Sequence, residues 1–180
     1  TSLPVWLFPG SSLQVSSNAD GILLLSLISG RNPELLIGQH VIAAPAIRQS
    51  GLDWLGVGYM LIDGGIPTSV QYMSNSQPIP ANKNDIAVAT AMAGEMLGLR
   101  MIYLEAGSGA QRPVPPAMIQ AVRQEVQLPI IVGGGIRQPG DVKRAFLAGA
   151  NWVVLGNITE KKPDILKELV AVKAETSSSG

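Results

Sequence analysis

Six short, uninterrupted apolar runs constrain the fold of this chain more than any other feature. They are Val5–Phe8, Ile22–Ile28, Val57–Ile62, Met101–Leu104, Ile130–Val132 and Trp152–Leu155. Each is rich in valine, isoleucine and leucine and continuous rather than alternating, the pattern of strands buried on both faces of a parallel sheet. Helix-like stretches with readable ends lie between most of them. Asn32-Pro33-Glu34 supplies a cap, a first-turn proline and an acid, and predicts a helix to about Arg48 with Gly51 beyond it. Asn84 or Asp85 opens a second, with Ile86, Ala89, Thr90, Ala93 and Leu97 at helical spacing and Gly98 as its stop. Pro115 or Pro116, Pro139 and Pro163 open three more. The alternation reads as an α/β fold with right-handed crossovers, and the TIM (β/α)8-type barrel is the reference for counting its units. At about 31 residues per βα unit, 180 residues make about six units.

Two connections depart from the alternation. Residues 9–20 (PGSSLQVSSNAD) are polar and too short for a good helix, so the first two strands are expected to be joined by an irregular crossover. Residues 63–82 lack helical periodicity, and a stretch that long is expected to cover a substrate, pack as scaffold or carry its own short strand. Residues 1–175 read as one domain and 176–180 (TSSSG) as a flexible tail.

Composition narrows the function. Thirteen basic and thirteen acidic residues give a formal charge of zero, which argues against a nucleic-acid binder. With 46% hydrophobic and 14% charged residues, disorder is excluded. The absence of cysteine removes disulfides, zinc–thiolate sites and thiol catalysis. No apolar run approaches the ~18 residues of a membrane span, and no basic stretch leads into an apolar one at the start. The expectation is a cytoplasmic protein without a transmembrane segment.

The strongest chemical signal is Ile130-Ile-Val-Gly133-Gly134-Gly135-Ile136-Arg137, a strand running into three glycines before a helix. Glycine admits close backbone approach, and exposed N–H groups at a helix start favour an anion. Val153-Val-Leu-Gly156-Asn157 repeats the layout one unit later. Phosphate sites in eight-stranded βα barrels commonly sit after the last two strands; tight strand-to-helix turns are the plainer account. In Tyr103-Leu104-Glu105-Ala-Gly107-Ser108-Gly109, alternation puts Tyr103 and Glu105 on one side of a strand, at the end where ligands bind. A carboxylate beside a phenol suits recognition of hydroxyl groups and proton acceptance. The alternative is an acid paired with a nearby arginine. His40 reads as a packing residue more readily than as an acid or base, and Asp63 as a turn former with Gly64-Gly65 as readily as a ligand group. No metal-ligand cluster is visible in the sequence.

These residues are similar to a known family. Segments 8–12 (FPGSS), 25–41 (LSLISGRNPELLIGQHV), 79–98 (IPANKNDIAVATAMAGEMLG), 103–110 (YLEAGSGA), 132–137 (VGGGIR) and 155–157 (LGN) resemble the geranylgeranylglyceryl phosphate synthases, the archaeal and bacterial glycerol-1-phosphate prenyltransferases. The resemblance runs from about Leu3 to Lys161. It implies a βα barrel that joins a geranylgeranyl or other long prenyl group, delivered as the diphosphate, to the primary hydroxyl of sn-glycerol 1-phosphate. By the family pattern, Tyr103 and Glu105 hold the glycerol hydroxyls, and Glu105 orients the attacking one and accepts its proton. Gly107, Ser108, Gly109, Gly134, Gly135, Gly156 and Asn157 hold the phosphate. Magnesium would steady the departing diphosphate, and an apolar groove would take the prenyl tail. Eight aromatic residues, 4% of the chain, offer no obvious floor for that groove.

Matched in order, Val5–Phe8 takes the place of the family's third strand. The first two βα units, which carry the family's metal ligands, have no counterpart here. The resemblance therefore implies the C-terminal six of eight units, with magnesium ligands outside this chain. Exposed sheet edges favour a homo-oligomer, and weak glycerol-phosphate binding with poor turnover is expected of the chain alone. The alternatives are another phosphate-binding barrel enzyme of isomerase or synthase type, or a non-catalytic scaffold fragment that keeps the phosphate pocket.

Overall fold

The computed structural model describes residues 2–177. Six strands, β1 (Trp6–Leu7), β2 (Gly21–Leu27), β3 (Asp53–Leu61), β4 (Met101–Glu105), β5 (Ile130–Gly133) and β6 (Trp152–Val154), form one parallel sheet in sequence order. All six apolar runs are strands. β3 starts at Asp53, four residues before its apolar run, because seven residues of β2 pair with Asp53–Tyr59 and the ladder extends beyond the buried part.

Among the described residues seven α-helices follow the strands, α1 (Gln39–Ser50), α2 (Ser69–Ser74), α3 (Asn84–Met96), α4 (Pro116–Glu125), α5 (Pro139–Leu147), α6 (Asn157–Lys161) and α7 (Ile165–Ser177), with a π-helical turn, Glu34–Gly38, leading into α1. The five helices expected from the sequence are among them. α7 extends two residues into the segment read as a tail, and residues 178–180 lie outside the described residues. The segment expected to lack helical structure contains α2, and its Ile79 forms an isolated parallel bridge with Ile62. The crossover at 9–20 carries no helix. Its Val15 and Ala19 pack with Ile22, Ala43 and Ile47, partly covering the outer face of β2.

Alternation sorts the strand residues cleanly. Met60, Ile102, Leu104, Ile130 and Val132 face outward onto Ala87 and Ala91 of α3, Met118, Ile119 and Val122 of α4, and Ala145 of α5. Val57, Tyr59, Leu61, Met101, Tyr103 and Ile131 point to the other, inner face with Leu27. Register then aligns rows across that inner face. Tyr59 lies beside Tyr103 and Ile131, and Leu61 beside Glu105, Gly133 and Val154. The second row, at the carboxyl ends of the strands, is where the site lies.

Candidate active site

Glu105 is the last residue of β4 and only 7% exposed. A carboxylate so placed needs partners, and it has two. The Gly107 N–H donates to its Oε1 at 2.7 Å, and the Tyr103 hydroxyl donates to the same carboxylate. Burial pushes the Glu105 carboxyl above its ordinary value, and these two hydrogen bonds pull the other way. Tyr103 is raised far above the phenol range, first by burial, then by the charge of Glu105, the bond to it and Tyr59. Tyr59 is raised by burial and by Glu105. Both phenols therefore stay protonated at any working pH.

The neighbouring residue in the row is a glycine for a spatial reason. A Cβ on Gly133 would run into the Tyr103 hydroxyl and stand 2.7 Å from Glu105 Oε2. Gly134, at φ +78°, has Glu105 Oε1 and the Gly107 nitrogen each 2.5 Å from where a Cβ would sit. Such a conformation in such a space admits only glycine. Three rings build the wall beside the carboxylate. Tyr59 and Tyr103 meet at 5.2 Å and 75°, and Phe8 stands edge-on to Tyr103 at 5.5 Å.

These groups surround a cavity of about 460 Å³ at the ends of β4, β5 and β6. Tyr103, Glu105, Ser108, Gly109, Gly134, Gly135 and Gly156 all line it, so seven residues singled out from the sequence meet in one place. Gly107 stands apart, since its N–H is committed to Glu105 and its α-carbon backs onto Thr68, the cap of α2. Asn157 opens α6, and its side chain lies outside the described residues. Tyr59, Phe8 and Arg137 also line the cavity and were not among the residues selected from the sequence. Tyr59 was findable from its register beside Tyr103 and Arg137 from its place two residues beyond the glycines, whereas Phe8 arrives by long-range packing.

A second cavity of about 490 Å³ adjoins the first, sharing Phe8, Tyr59 and Val70. Its lining is chiefly apolar, with Leu23, Leu25 and Leu27 from β2, Leu35 from the turn just before α1, and Val70 and Met73 from α2. His40 is on its wall. Ser26 spends its one hydroxyl proton on the Leu36 carbonyl at 2.9 Å, so the 3.1 Å contact with His40 assigns the imidazole Nε2 as donor. Burial lowers the His40 pKa and so favours its neutral form. Asp63 accepts the Gly65 N–H at 2.8 Å and stands 4.0 Å from Arg112, so it forms a turn and does not line the cavity. Among the described residues, no group of three histidine, aspartate or glutamate side chains is placed to hold a metal ion.

A sequential parallel sheet with helices between its strands, glycine loops and a buried Tyr–Glu pair at its carboxyl edge defines a protein of TIM-barrel-like βα fold. Residues 1–173 match the model of the PcrB family, and the chain belongs to that family. It is 56% identical over 170 residues to the geranylgeranylglyceryl phosphate synthase of Chitinophaga pinensis, covering 93% of this chain and 66% of the relative. It is 55% identical over 179 residues to the synthase of Spirosoma linguale, covering 99% and 72%. Among solved structures, (S)-3-O-geranylgeranylglyceryl phosphate synthase from Thermoplasma acidophilum, crystallised with its substrate sn-glycerol-1-phosphate, superposes with a TM-score of 0.90 at 34% identity. That superposition covers 96% of this chain and 70% of the other. The chain thus spans about two thirds of the length of the relatives it matches.

Proposed function

We propose that the chain carries the acceptor site of a prenyltransferase, one that forms an ether bond between the primary hydroxyl of sn-glycerol 1-phosphate and a long prenyl group. The observation that carries this reading is the buried Tyr103–Glu105 pair, set in one cavity with the glycine loops after β4, β5 and β6. Backbone N–H groups of those loops suit a phosphate, and the carboxylate suits the glycerol hydroxyls. Family membership and the names of the relatives support the same assignment.

The chemistry follows from charge and position. The acceptor hydroxyl donates to Glu105, which turns its oxygen lone pair toward the prenyl carbon. The new C–O bond forms as the carbon–oxygen bond to diphosphate breaks, and diphosphate leaves with the bonding pair. The hydroxyl proton passes to Glu105 and then to water. Burial makes Glu105 a better proton acceptor than an exposed carboxylate, and the permanent Tyr103 donor keeps it aimed. The leucine-lined second cavity, beginning at Phe8 and Tyr59, suits the prenyl tail. The described residues do not fit the magnesium that the resemblance implies, since no acidic cluster is present among them. No helix is long and apolar enough to cross a membrane among the described residues; we place the protein in the cytoplasm, acting as a homo-oligomer.

The test is incubation of radiolabelled sn-glycerol 1-phosphate with geranylgeranyl diphosphate, with and without magnesium. Organic-extractable label is expected, falling at least about 100-fold in Glu105→Gln. Equal label from the variant, or an unmodified chain that neither binds nor converts the acceptor, removes the reading.

A further inference from the structure

Arg137 follows the three glycines and is not used by the chemistry above. Its backbone N–H donates to Asp141 Oδ2 at 2.9 Å, which anchors the base of the side chain to the first turn of α5. Its guanidinium then crosses to the neighbouring loop, where Nη2 donates to the Ala110 carbonyl at 2.9 Å. Ala110 closes the turn after β4, its own N–H donating to the Gly107 carbonyl at 3.1 Å. Beyond it, the Gln111 and Arg112 N–H groups both donate to the Gly64 carbonyl. The loop holding Ser108 and Gly109 is therefore pinned at two points, and Arg137 is the pin on the cavity side.

Its charge has no other use. None of the ion pairs among the described residues includes Arg137. It is also the one cationic side chain among the residues lining the cavity, where Glu105 is the one acidic group. A phosphate dianion entering beside a buried carboxylate meets repulsion that backbone dipoles only partly offset, and a guanidinium with a free edge relieves it.

We propose that Arg137 is a substrate-positioning residue, fixing the Gly107–Ala110 turn through the Ala110 carbonyl and lending its charge to the phosphate of the acceptor. This rests on the reading of the cavity as a phosphate site. The two roles separate by substitution: lysine keeps the charge and loses the fork, and glutamine keeps a donor and loses the charge.

Calorimetric titration of sn-glycerol 1-phosphate and, separately, inorganic phosphate into the unmodified chain, Arg137→Lys and Arg137→Gln tests it. Glutamine should weaken both ligands by roughly tenfold or more and flatten the dependence of binding on salt. Lysine should recover part of the affinity and most of the salt dependence. Binding by Arg137→Gln within twofold of the unmodified chain, with the same salt slope, overturns the assignment while leaving the phosphate site intact. An unmodified chain that binds neither ligand overturns the site itself and the role of Arg137 with it.

Discussion

Burial of Glu105 costs the fold and the proposed chemistry needs its carboxylate, and the two can be measured against each other. Its folded pKa is raised, so its favourable contribution is fully present below the unfolded value near 4.5 and is lost as pH rises through the folded value. Wherever it is ionised, the buried carboxylate is then a net burden. Glu105→Gln is expected to melt on the order of a few degrees higher than the parent at pH 8, with the difference vanishing near pH 4, while prenyl transfer is lost. A lower melting temperature at pH 8 would show that the bonds from Tyr103 and Gly107 outweigh burial. Gly133 gives a second measurement. Alanine there strikes the Tyr103 hydroxyl and the Glu105 carboxylate, and should lower the urea midpoint by the equivalent of about 1–3 kcal/mol. Gly156→Ala is its control: a Cβ at Gly156 meets nothing within 4 Å, so stability should change by less than about 0.5 kcal/mol. Tyr103 and Glu105 were legible in the sequence because period-two alternation at a strand end is a local rule. Phe8 was not, since it reaches the cavity across elements whose packing no local pattern encodes.

Among the elements, the helices show where local rules stop. Those opened by Pro116 and Pro139 begin where proline allows, and Gly51, Gly98 and Gly149, all at positive φ, lie just past the ends of α1, α3 and α5. α2 escaped notice because six residues are too few to establish a period. The first helix holds two surprises. Residues Glu34–Gly38 form a π turn before α1, and Pro45 sits inside α1. Pro45 leaves the Val41 carbonyl without its helical donor, on a residue 64% exposed, where water can serve. The π turn is tied to the sheet by the Ser26 hydroxyl on the Leu36 carbonyl, a contact no sequence pattern announces. α5 is the helix whose start matters most to the site. Asp141, 8% exposed, accepts the N–H groups of Arg137 and Gln138 and pairs with Arg144. Asp141→Ala removes that acceptor from two backbone donors at once. A loss of about 1–3 kcal/mol is expected in urea unfolding, with Asp141→Asn recovering part of it.

Across the whole molecule, strand order was readable because successive parallel strands joined by crossover connections have few alternatives. The pairing of the two outermost strands is what local rules leave open. β1 pairs only with β2 and β6 only with β5, so the sheet has two edges among the described residues. Both carry exposed apolar side chains: Val5 is 47% exposed just before β1, and Trp152 is 45% exposed at the start of β6. Unpaired backbone beside exposed hydrophobic groups is a template for pairing with another chain. The edges therefore predict self-association that grows with concentration, read as a rising weight-average mass in sedimentation equilibrium. A lysine at an edge opposes pairing by carrying its charge into the new interface, so Val5→Lys and Trp152→Lys should return the chain toward monomer. Tyr72→Lys, on α2 and already 86% exposed, should leave association unchanged. If all three variants associate as the parent does, the contact lies elsewhere than the edges; if the parent is monomeric at every concentration, the edges are tolerated unpaired. In either case sn-glycerol 1-phosphate binding should be unchanged in Val5→Lys, because Val5 lies outside the cavity that holds Glu105.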